Sequence, residues 1–273
     1  MSTLFDIRSR VIVVTGSTGA LAGSAARHLC SQGARVAFLG RNRAKLDESI
    51  SSCLSAHPEA ECVGLVADVL DRRSLEDARE AIVTRWGSIH GLVNGAGGNM
   101  PGATIPPEKA FADLDFDSFR QVVDLNLHGT VLPTLVFAEE LQKAPTASVV
   151  NFSSVSAPLA VSRVVGYSAA KAAVENFTRW LAVELASRTT GKVRVNAVLP
   201  GFFLGEQNRR LLTNEDGSLT ARGESVIRKT PFGRFGAAEE LHGTIQFLLS
   251  SASRFVTGAI VPVDGGFVAF SGV

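Results

Sequence analysis

The sequence predicts an α/β protein with one doubly wound parallel sheet between two layers of helices, a three-layer α/β/α arrangement. Two observations predict it. Short β-branched apolar runs alternate with longer segments of helical period along the chain, and strands joined through helices pair in parallel. The 273 residues contain 45% hydrophobic side chains and can bury one substantial core. We therefore expect a single domain over residues 1–273.

The predicted strands are short apolar runs. The first, residues 11–14, is apolar throughout, which is typical of a strand covered on both faces. The other strands are predicted at 36–39, 62–66, 91–94, 147–152, 193–198 and 259–263.

The predicted helices lie between these runs. They span residues 21–32, 43–57, 72–86, 117–141, 168–186 and 239–249. We expect Pro133 to kink the fourth helix. Residues 202–230 interrupt the alternation and are rich in Asn, Asp, Gly and Arg. Such an insertion is either a lid over the substrate or a disordered loop.

Composition narrows the classes of function. The net charge of +1 gives no electrostatic reason to expect a nucleic-acid partner, and no apolar run is long enough to cross a membrane. Because no leader segment is recognisable either, we expect a cytoplasmic protein. The cysteines at 30, 53 and 62 show no metal-ligand spacing and are interpreted as separate free thiols. The five histidines also lack ligand spacing, so no metal is predicted.

Residues 14–23 form a glycine-rich turn between the first strand and the first helix. Backbone N–H groups at a helix N-terminus attract a pyrophosphate, and glycines let the backbone approach it closely. The turn therefore predicts a dinucleotide-binding fold of the Rossmann type. An ordinary strand-to-helix turn is the alternative.

The end of the second strand bears on which dinucleotide binds. An acidic residue usually stands there in proteins that bind NAD, and this chain has Gly40 and Arg41 instead. A forked guanidinium suits a 2′-phosphate, so NADP(H) is favoured and NAD(H) remains possible. The alternative is that Arg41 is a solvated residue at the start of a helix.

Tyr167 and Lys171 are four residues apart in a predicted helical segment and therefore share a face. A nearby ammonium favours the phenolate, so we expect the pKa of Tyr167 to be lowered towards the range useful for acid–base work. Tyr167 is the only tyrosine of the chain.

These motifs together resemble the short-chain dehydrogenase/reductase family. The family pattern T-G-x-x-x-G-x-G is matched at Thr15 and Gly16, with Ala20 and Ala22 in place of later glycines. The N-x-S-S element is matched by residues 151–154, and the usual N-N-A-G appears as N-G-A-G at 94–97. The P-G turn follows at 200–201, with Gly205 where a threonine is common.

The resemblance implies a secondary alcohol interconverted with a ketone or aldehyde. Tyr167 would be the proton donor and acceptor, and Ser154 would orient the substrate oxygen. Lys171 would lower the tyrosine pKa and contact the nicotinamide ribose, and Asn126 would support a water relay to Lys171. It also implies a homotetramer or homodimer, with an interface on the stripe of Val174, Phe177, Leu181 and Leu185, which is otherwise core. The implied cofactor contacts are Gly16, Ser17, Thr18, Gly19, Leu21, Arg41, Asn42, Asp68, Val69, Asn94, Gly95, Ala96, Gly97, Tyr167, Lys171, Pro200, Gly201 and Phe203.

Four local runs resemble the sugar-acid oxidoreductases of this family, which act on mannonate, fructuronate, gluconate or deoxy-ketouronates. These runs are residues 94–99, 200–204, 206–209 and 264–273. A sugar acid needs a cation for its carboxylate, and Arg163 or Arg209 is the hypothesis for that role. The predicted substrate contacts are Gly98, Asn99, Ser156, Arg163, Gln207 and Arg209. Solvated loop residues are the alternative interpretation.

Three other functions remain open. One is a carbonyl reductase of another small substrate, such as a 3-oxoacyl compound or a xenobiotic ketone. Another is a dinucleotide-binding protein without activity, since a fold does not fix a function. The third is an isomerase or lyase that uses the cofactor transiently.

Overall fold

A seven-stranded parallel sheet organises the computed structural model, which describes residues 3–272 without the side chains of Thr3, Glu206 and Gln207. The strand order is β3-β2-β1-β4-β5-β6-β7. The strands are β1 Val11–Thr15, β2 Arg35–Gly40, β3 Cys62–Val66, β4 Gly91–Asn94, β5 Ala147–Phe152, β6 Val193–Pro200 and β7 Ile260–Val263.

Helices cover both faces of this sheet. Alternate residues of β1 point to opposite sides: Ile12 and Val14 belong to one core cluster, and Val11 and Val13 to another. The three-layer fold class is thereby confirmed. The helices are α1 Ala20–Ser31, α2 Arg43–Ala56, α3 Arg72–Trp86, α4 Phe116–Val123, α5 Gly129–Lys143, α6 Val165–Thr189, α7 Glu206–Leu212, α8 Ala221–Lys229 and α9 His242–Leu249.

The strand order reverses between β1 and β4, because β2 and β3 lie on one side and β5 to β7 on the other. Loops that leave the carboxyl ends of β1 and β4 therefore turn to opposite faces and leave a crevice between them. The glycine-rich turn follows β1, and the N-G-A-G segment begins at the end of β4. Both predicted cofactor motifs thus meet at this crevice.

The segment 117–141 lies in one continuous helical run, as the sequence predicted, but this run contains an unpredicted π-helical turn. The π-turn at Asp124–His128 joins α4 to α5, and Pro133 lies inside α5. The irregularity therefore lies around Asn126. Single π-turns within helices occur frequently at functional sites.

The insertion 202–230 is ordered into α7 and α8, so the disordered alternative is wrong. An antiparallel bridge between Thr213 and Leu219 closes the turn that joins the two helices. Helix α6 begins at Val165, earlier than predicted, and therefore includes Tyr167 in its first turn. Among the described residues, no helix combines the length and apolarity needed to cross a membrane.

The apolar stripe predicted on α6 is core. Val174, Leu181 and Leu185 are buried, and Phe177 packs against the same cluster. The exposed apolar side chains of this helix are others, notably Trp180 at 61% and Val183 at 73% exposure. Any interface on α6 would therefore use this second face.

Candidate active site

The glycine-rich turn brings the backbone of β1 against that of the β4 loop. Gly16 has a φ of +66°, and a Cβ there would lie 2.7 Å from the Cα of Ala96. The hydroxyl of Thr15 accepts hydrogen bonds from the backbone N–H groups of Gly95 and Ala96, at 3.2 and 3.3 Å. No side chain caps the start of α1 at Gly19. The first N–H groups of α1 are therefore available to a ligand phosphate.

A cleft of about 700 Å³ runs along this turn and across the crevice. That size falls in the usual range of pockets for small molecules and cofactors. Of the predicted cofactor residues, those that line it are Gly16, Thr18, Gly19, Leu21, Arg41, Val69, Gly95, Ala96, Gly97, Tyr167, Lys171 and Phe203.

Three side chains that were predicted to contact the cofactor make hydrogen bonds within the protein instead. Ser17 is fully buried and donates a 3.1 Å hydrogen bond to the carbonyl of Leu39. Asn42 caps α2 by accepting from the N–H of Lys45 at 3.0 Å. Asn94 is buried and donates to the side chains of Thr134 and Asn151, both at 2.9 Å. None of the three lines the cleft, so they shape its walls rather than face it.

Three more residues that were predicted to contact the cofactor do not line the cleft: Asp68, Pro200 and Gly201. An oxygen of Asp68 accepts from the N–H of Leu70 at 2.9 Å, and the other lies 3.9 Å from the guanidinium of Arg41. Gly201 packs against Asp264, where a Cβ would come within 2.7 Å of its Cα. Gly201 lines an adjoining cavity of about 310 Å³, which shares Phe203 with the cleft.

Sequence reasoning missed several residues of the cleft. Lys45 and Arg27 line it together with Arg41. Lys45 lies in the first turn of α2, four residues after Arg41, and this closeness in sequence could have revealed it. Arg27 comes from the middle of α1, and nothing in the sequence relates it to the other two. The remaining unpredicted lining residues include Ala20, Ala22, Leu39, Gly40, Ala67, Leu125, Phe152, Gly205 and Asn208.

Tyr167 lines the cleft and is hydrogen-bonded with Ser154. Burial raises the pKa of Tyr167, and a hydrogen bond with Ser154 lowers it by less. The predicted lowering of this pKa is therefore wrong, because the effect of burial dominates. Ser156, predicted to bind substrate, is 4% exposed and donates to the Ser154 hydroxyl at 3.1 Å. It therefore positions Ser154.

Lys171 lies beneath the tyrosine ring. Its Nζ is 5.6 Å from the ring centroid of Tyr167 and donates a 2.8 Å hydrogen bond to the carbonyl of Phe152. Only 3% of Lys171 is exposed, and burial lowers its pKa to about 8. The ammonium therefore lies over the face of the ring, and the tyrosine pKa is set by burial and by the Ser154 hydrogen bond.

Asn126 occupies the π-turn and is fully buried. Its amide nitrogen donates to the carbonyls of Gly98 and Val122, at 2.6 and 2.8 Å, and its oxygen accepts from the N–H of Gly98 at 3.2 Å. A Cβ on Gly97 would lie 2.6 Å from the Asn126 oxygen and 3.3 Å from the Lys171 nitrogen. Asn126 therefore fixes the β4 loop beside Lys171.

Known proteins of this architecture are similar along nearly the whole chain. A family model described as enoyl-(acyl carrier protein) reductase matches residues 16–268. The chain is 44% identical to the uncharacterized oxidoreductase UxuB of Bacillus subtilis, over 98% of each chain. It is 30% identical to the gluconate 5-dehydrogenase of Gluconobacter oxydans, over 96% of each. A solved structure of a proposed D-mannonate oxidoreductase from Haemophilus influenza, with bound NAD, matches with a TM-score of 0.92 at 36% identity over 98% of each chain.

The chain belongs to the short-chain dehydrogenase/reductase family. It is therefore an oxidoreductase, which confirms the predicted family and enzyme class. As a short-chain dehydrogenase/reductase it departs from the glycine pattern at Ala20 and Ala22. Ala20 is exposed at the start of α1 and Ala22 is buried beneath Gly95, where a Cβ would lie 2.5 Å from that of Ala22. The β4 loop accommodates the alanine by having a glycine opposite it.

The residues of this dehydrogenase/reductase that were predicted to bind substrate do not all lie at the cleft. Gly98 lines the cleft, whereas Asn99 is exposed and donates to the hydroxyl of Thr104 at 3.0 Å. Arg163 is partly buried with a φ of +78°, and Arg209 is exposed on α7. The side chain of Gln207 lies outside the described part of the chain.

Proposed function

We propose that this short-chain dehydrogenase/reductase interconverts a secondary alcohol and a ketone on a sugar acid, with NADP(H) as the favoured cofactor. The observation that supports this most is that Tyr167 and Lys171 line the cleft that begins at the glycine-rich turn, and that Ser154 is hydrogen-bonded with Tyr167. Nicotinamide dinucleotide, when bound, supplies or accepts the hydride. The residues of this chain orient the carbonyl and move the proton.

Tyr167 is the general acid in the direction of reduction. A phenol whose pKa is raised stays protonated at neutral pH, so it is ready to donate to the developing alkoxide. Ser154 hydrogen-bonds the same substrate oxygen and is itself positioned by Ser156. Lys171 supports the phenolate that remains, and the β4 loop fixed by Asn126 closes the site beside it.

The preference for NADP(H) rests on charge at the adenosine end. Arg41, Lys45 and Arg27 line the cleft there, and the end of β2 supplies no carboxylate for a ribose 2′-hydroxyl. Asp68 lies 3.9 Å from Arg41 and 38% of its side chain is exposed, so it neutralises only part of this charge. The similar H. influenza structure contains NAD, so the two cofactors must be compared directly.

The comparison uses Arg41→Ala and Lys45→Ala, with Arg43→Ala as matched control. Arg43 begins the same helix but pairs with Asp47 and does not line the cleft. Each lost phosphate contact is expected to weaken the binding of NADPH by about 10-fold, since a charged hydrogen bond contributes about 1.5–3 kcal/mol. The binding of NADH should be unaffected. Equal losses for both cofactors, or tighter binding of NADH than NADPH to the parent enzyme, would contradict the preference.

A pair of arginines supports the sugar-acid substrate. Arg222 of α8 donates to the hydroxyl and carbonyl of Ser162, at 3.2 and 3.4 Å, on the loop between Ser154 and Tyr167. Its Nε is buried without a partner, and burial together with the charge of Arg163 lowers its pKa. Neither arginine pairs with a carboxylate among the described residues. A substrate carboxylate could pair with both and would offset one of their two positive charges.

The sequence suggested Arg163 or Arg209 for this role, and we propose Arg163 together with Arg222. Insertion 202–230, which carries Arg222, is accordingly proposed as a lid that completes the substrate site. Arg222→Gln and Arg163→Gln are expected to raise KM for a ketouronate by about 10-fold or more and to leave KM for an uncharged ketone unchanged. The matched control is Arg209→Gln. Parallel effects on both substrates would contradict a carboxylate site.

A further inference from the structure

Three cysteines that are far apart in the sequence meet in the fold. The sulfurs of Cys30, Cys53 and Cys62 all lie within 4.8 Å of one another. They come from α1, α2 and the first residue of β3. They are also the only cysteines of the chain. All three are free thiols, as the sequence predicted, and the fold brings them together.

The cluster is held by three ordered elements. Cys53 is fully buried and Cys30 is 3% exposed, both within the core cluster on that face of the sheet. Cys62 is partly exposed, and its backbone is fixed by the register with Val36 of β2. One open side therefore remains, at Cys62. Such a half-open thiol cluster admits a small ion and a water molecule.

The sulfur spacing suits metal coordination better than a disulfide. Thiolates bound to one Zn²⁺ ion at about 2.3 Å lie roughly 4 Å apart. A separation within 4.8 Å reaches that value with small shifts of side chains. A disulfide requires about 2.05 Å between sulfurs and thus a larger movement.

Two positively charged side chains act on the cluster. The guanidinium of Arg85 interacts electrostatically with Cys62, and that of Arg27 with Cys53. Three thiolates around a dication leave one negative charge, which these two guanidinium groups can balance.

We propose that Cys30, Cys53 and Cys62 form a thiolate site for one Zn²⁺ ion, with water as the fourth ligand on the open side of Cys62. Soft sulfur ligands select such an ion, and no fourth protein ligand belongs to the cluster among the described residues. The thiol protons are released to solvent on binding. The ion cross-links α1, α2 and β3 near the amino end of the sheet, away from Tyr167, and its role is structural.

The test starts from reduced protein freed of metal by a chelator, under exclusion of oxygen. Titration with Cd²⁺ reports thiolate ligation through the ultraviolet charge-transfer band, and Zn²⁺ should then displace it. We expect saturation at one ion per chain. We also expect Zn²⁺ to raise the unfolding temperature, because it binds the folded state alone.

Variants locate the site. Cys62→Ser, at the half-exposed position, and Cys53→Ala are expected to abolish the Cd²⁺ band and the thermal shift. The control His57→Gln, which alters the histidine at the end of α2, should keep both. Turnover with Cys62→Ser should match the parent. Loss of binding in His57→Gln, no band at one equivalent, or a Cys30–Cys53 disulfide in place of bound metal would overturn the proposal.

Discussion

At the residue scale, the environment of Tyr167 and Lys171 differs from what their spacing suggested. Tyr167 and Lys171 do lie four residues apart on one helix, but this spacing does not specify how far that helix face is buried. Burial raises the tyrosine pKa and lowers that of Lys171 to about 8, so it shifts each group towards its neutral form. The candidate catalytic residues could be named from motifs, and their electrostatics could not, because solvation depends on contacts with distant residues.

The raised pKa of Tyr167 can be measured on its own, since this is the only tyrosine of the chain. Tyrosinate absorbance in the cofactor-free protein should appear with a midpoint above the usual value of about 10. Ser154→Ala should move the midpoint higher still, because the Ser154 hydrogen bond lowers it. A midpoint at or below the ordinary value would contradict dominance by burial.

Replacement of Tyr167 by Phe removes the proton donor and leaves the ring. The turnover number for ketone reduction is expected to fall by about 10²–10⁴-fold, the usual contribution of a general acid. Cofactor affinity, measured by fluorescence titration with NADPH, should stay at the parental value. Parental turnover in this variant would eliminate the proposed mechanism.

Lys171 gives reduction a pH dependence. The folded-state pKa of about 8 lies below the ordinary 10.5, so the ammonium is present at pH 7 and is lost as the pH rises through about 8. The value of kcat/KM for reduction should therefore fall over that window. Lys171→Met should abolish this fall of kcat/KM with rising pH, together with most of the activity. A parental profile that stays flat from neutral pH to above 9 would contradict this assignment.

At the scale of elements, most strands and helices could be predicted from apolar periodicity, and the irregular ones could not. The π-turn at Asp124–His128 has no signal in the sequence, because a single extra residue per turn is stabilised by tertiary contacts of Asn126 with Gly98. Helices α7 and α8 escaped prediction because their segment is polar and short. They are ordered by contacts such as that of Arg222 with Ser162.

The turn after β1 offers a test of close backbone approach. Gly16→Ala introduces both a left-handed strain and a clash at 2.7 Å with Ala96, and should weaken cofactor binding and stability together. Gly87→Ala is the matched control, with a φ of +76° and open space around the added Cβ. It should cost about 1–2 kcal/mol of unfolding free energy and leave cofactor affinity intact. Similar behaviour of the two variants would contradict the role of Gly16.

At the scale of the whole molecule, the exposed apolar face of α6 bears on the proposed homotetramer or homodimer. Trp180 and Val183 lie three residues apart and are largely exposed, although large apolar side chains favour burial. Nothing within one described chain covers them. We propose that a second copy does.

Trp180→Glu and Val183→Glu are expected to shift the protein to monomers in sedimentation velocity at micromolar concentration. The control is Leu54→Glu, an exposed leucine of α2. Charge on a buried interface is costly, whereas charge on a solvated face is not. A monomeric parent, or oligomers that survive both substitutions on α6, would exclude an interface there.

The sequence by itself determined the fold class and the family, and it named the candidate acid–base residues. Each depends on local patterns: period, turn glycines, and motifs in chain order. Only the tertiary structure decided which side chains face the cleft, how burial shifts Tyr167 and Lys171, that Arg222 meets the loop before Tyr167, and that three distant cysteines share one site. The physical reason is that solvation, charge pairing and metal coordination depend on distances in space, and separation along the chain does not specify those distances.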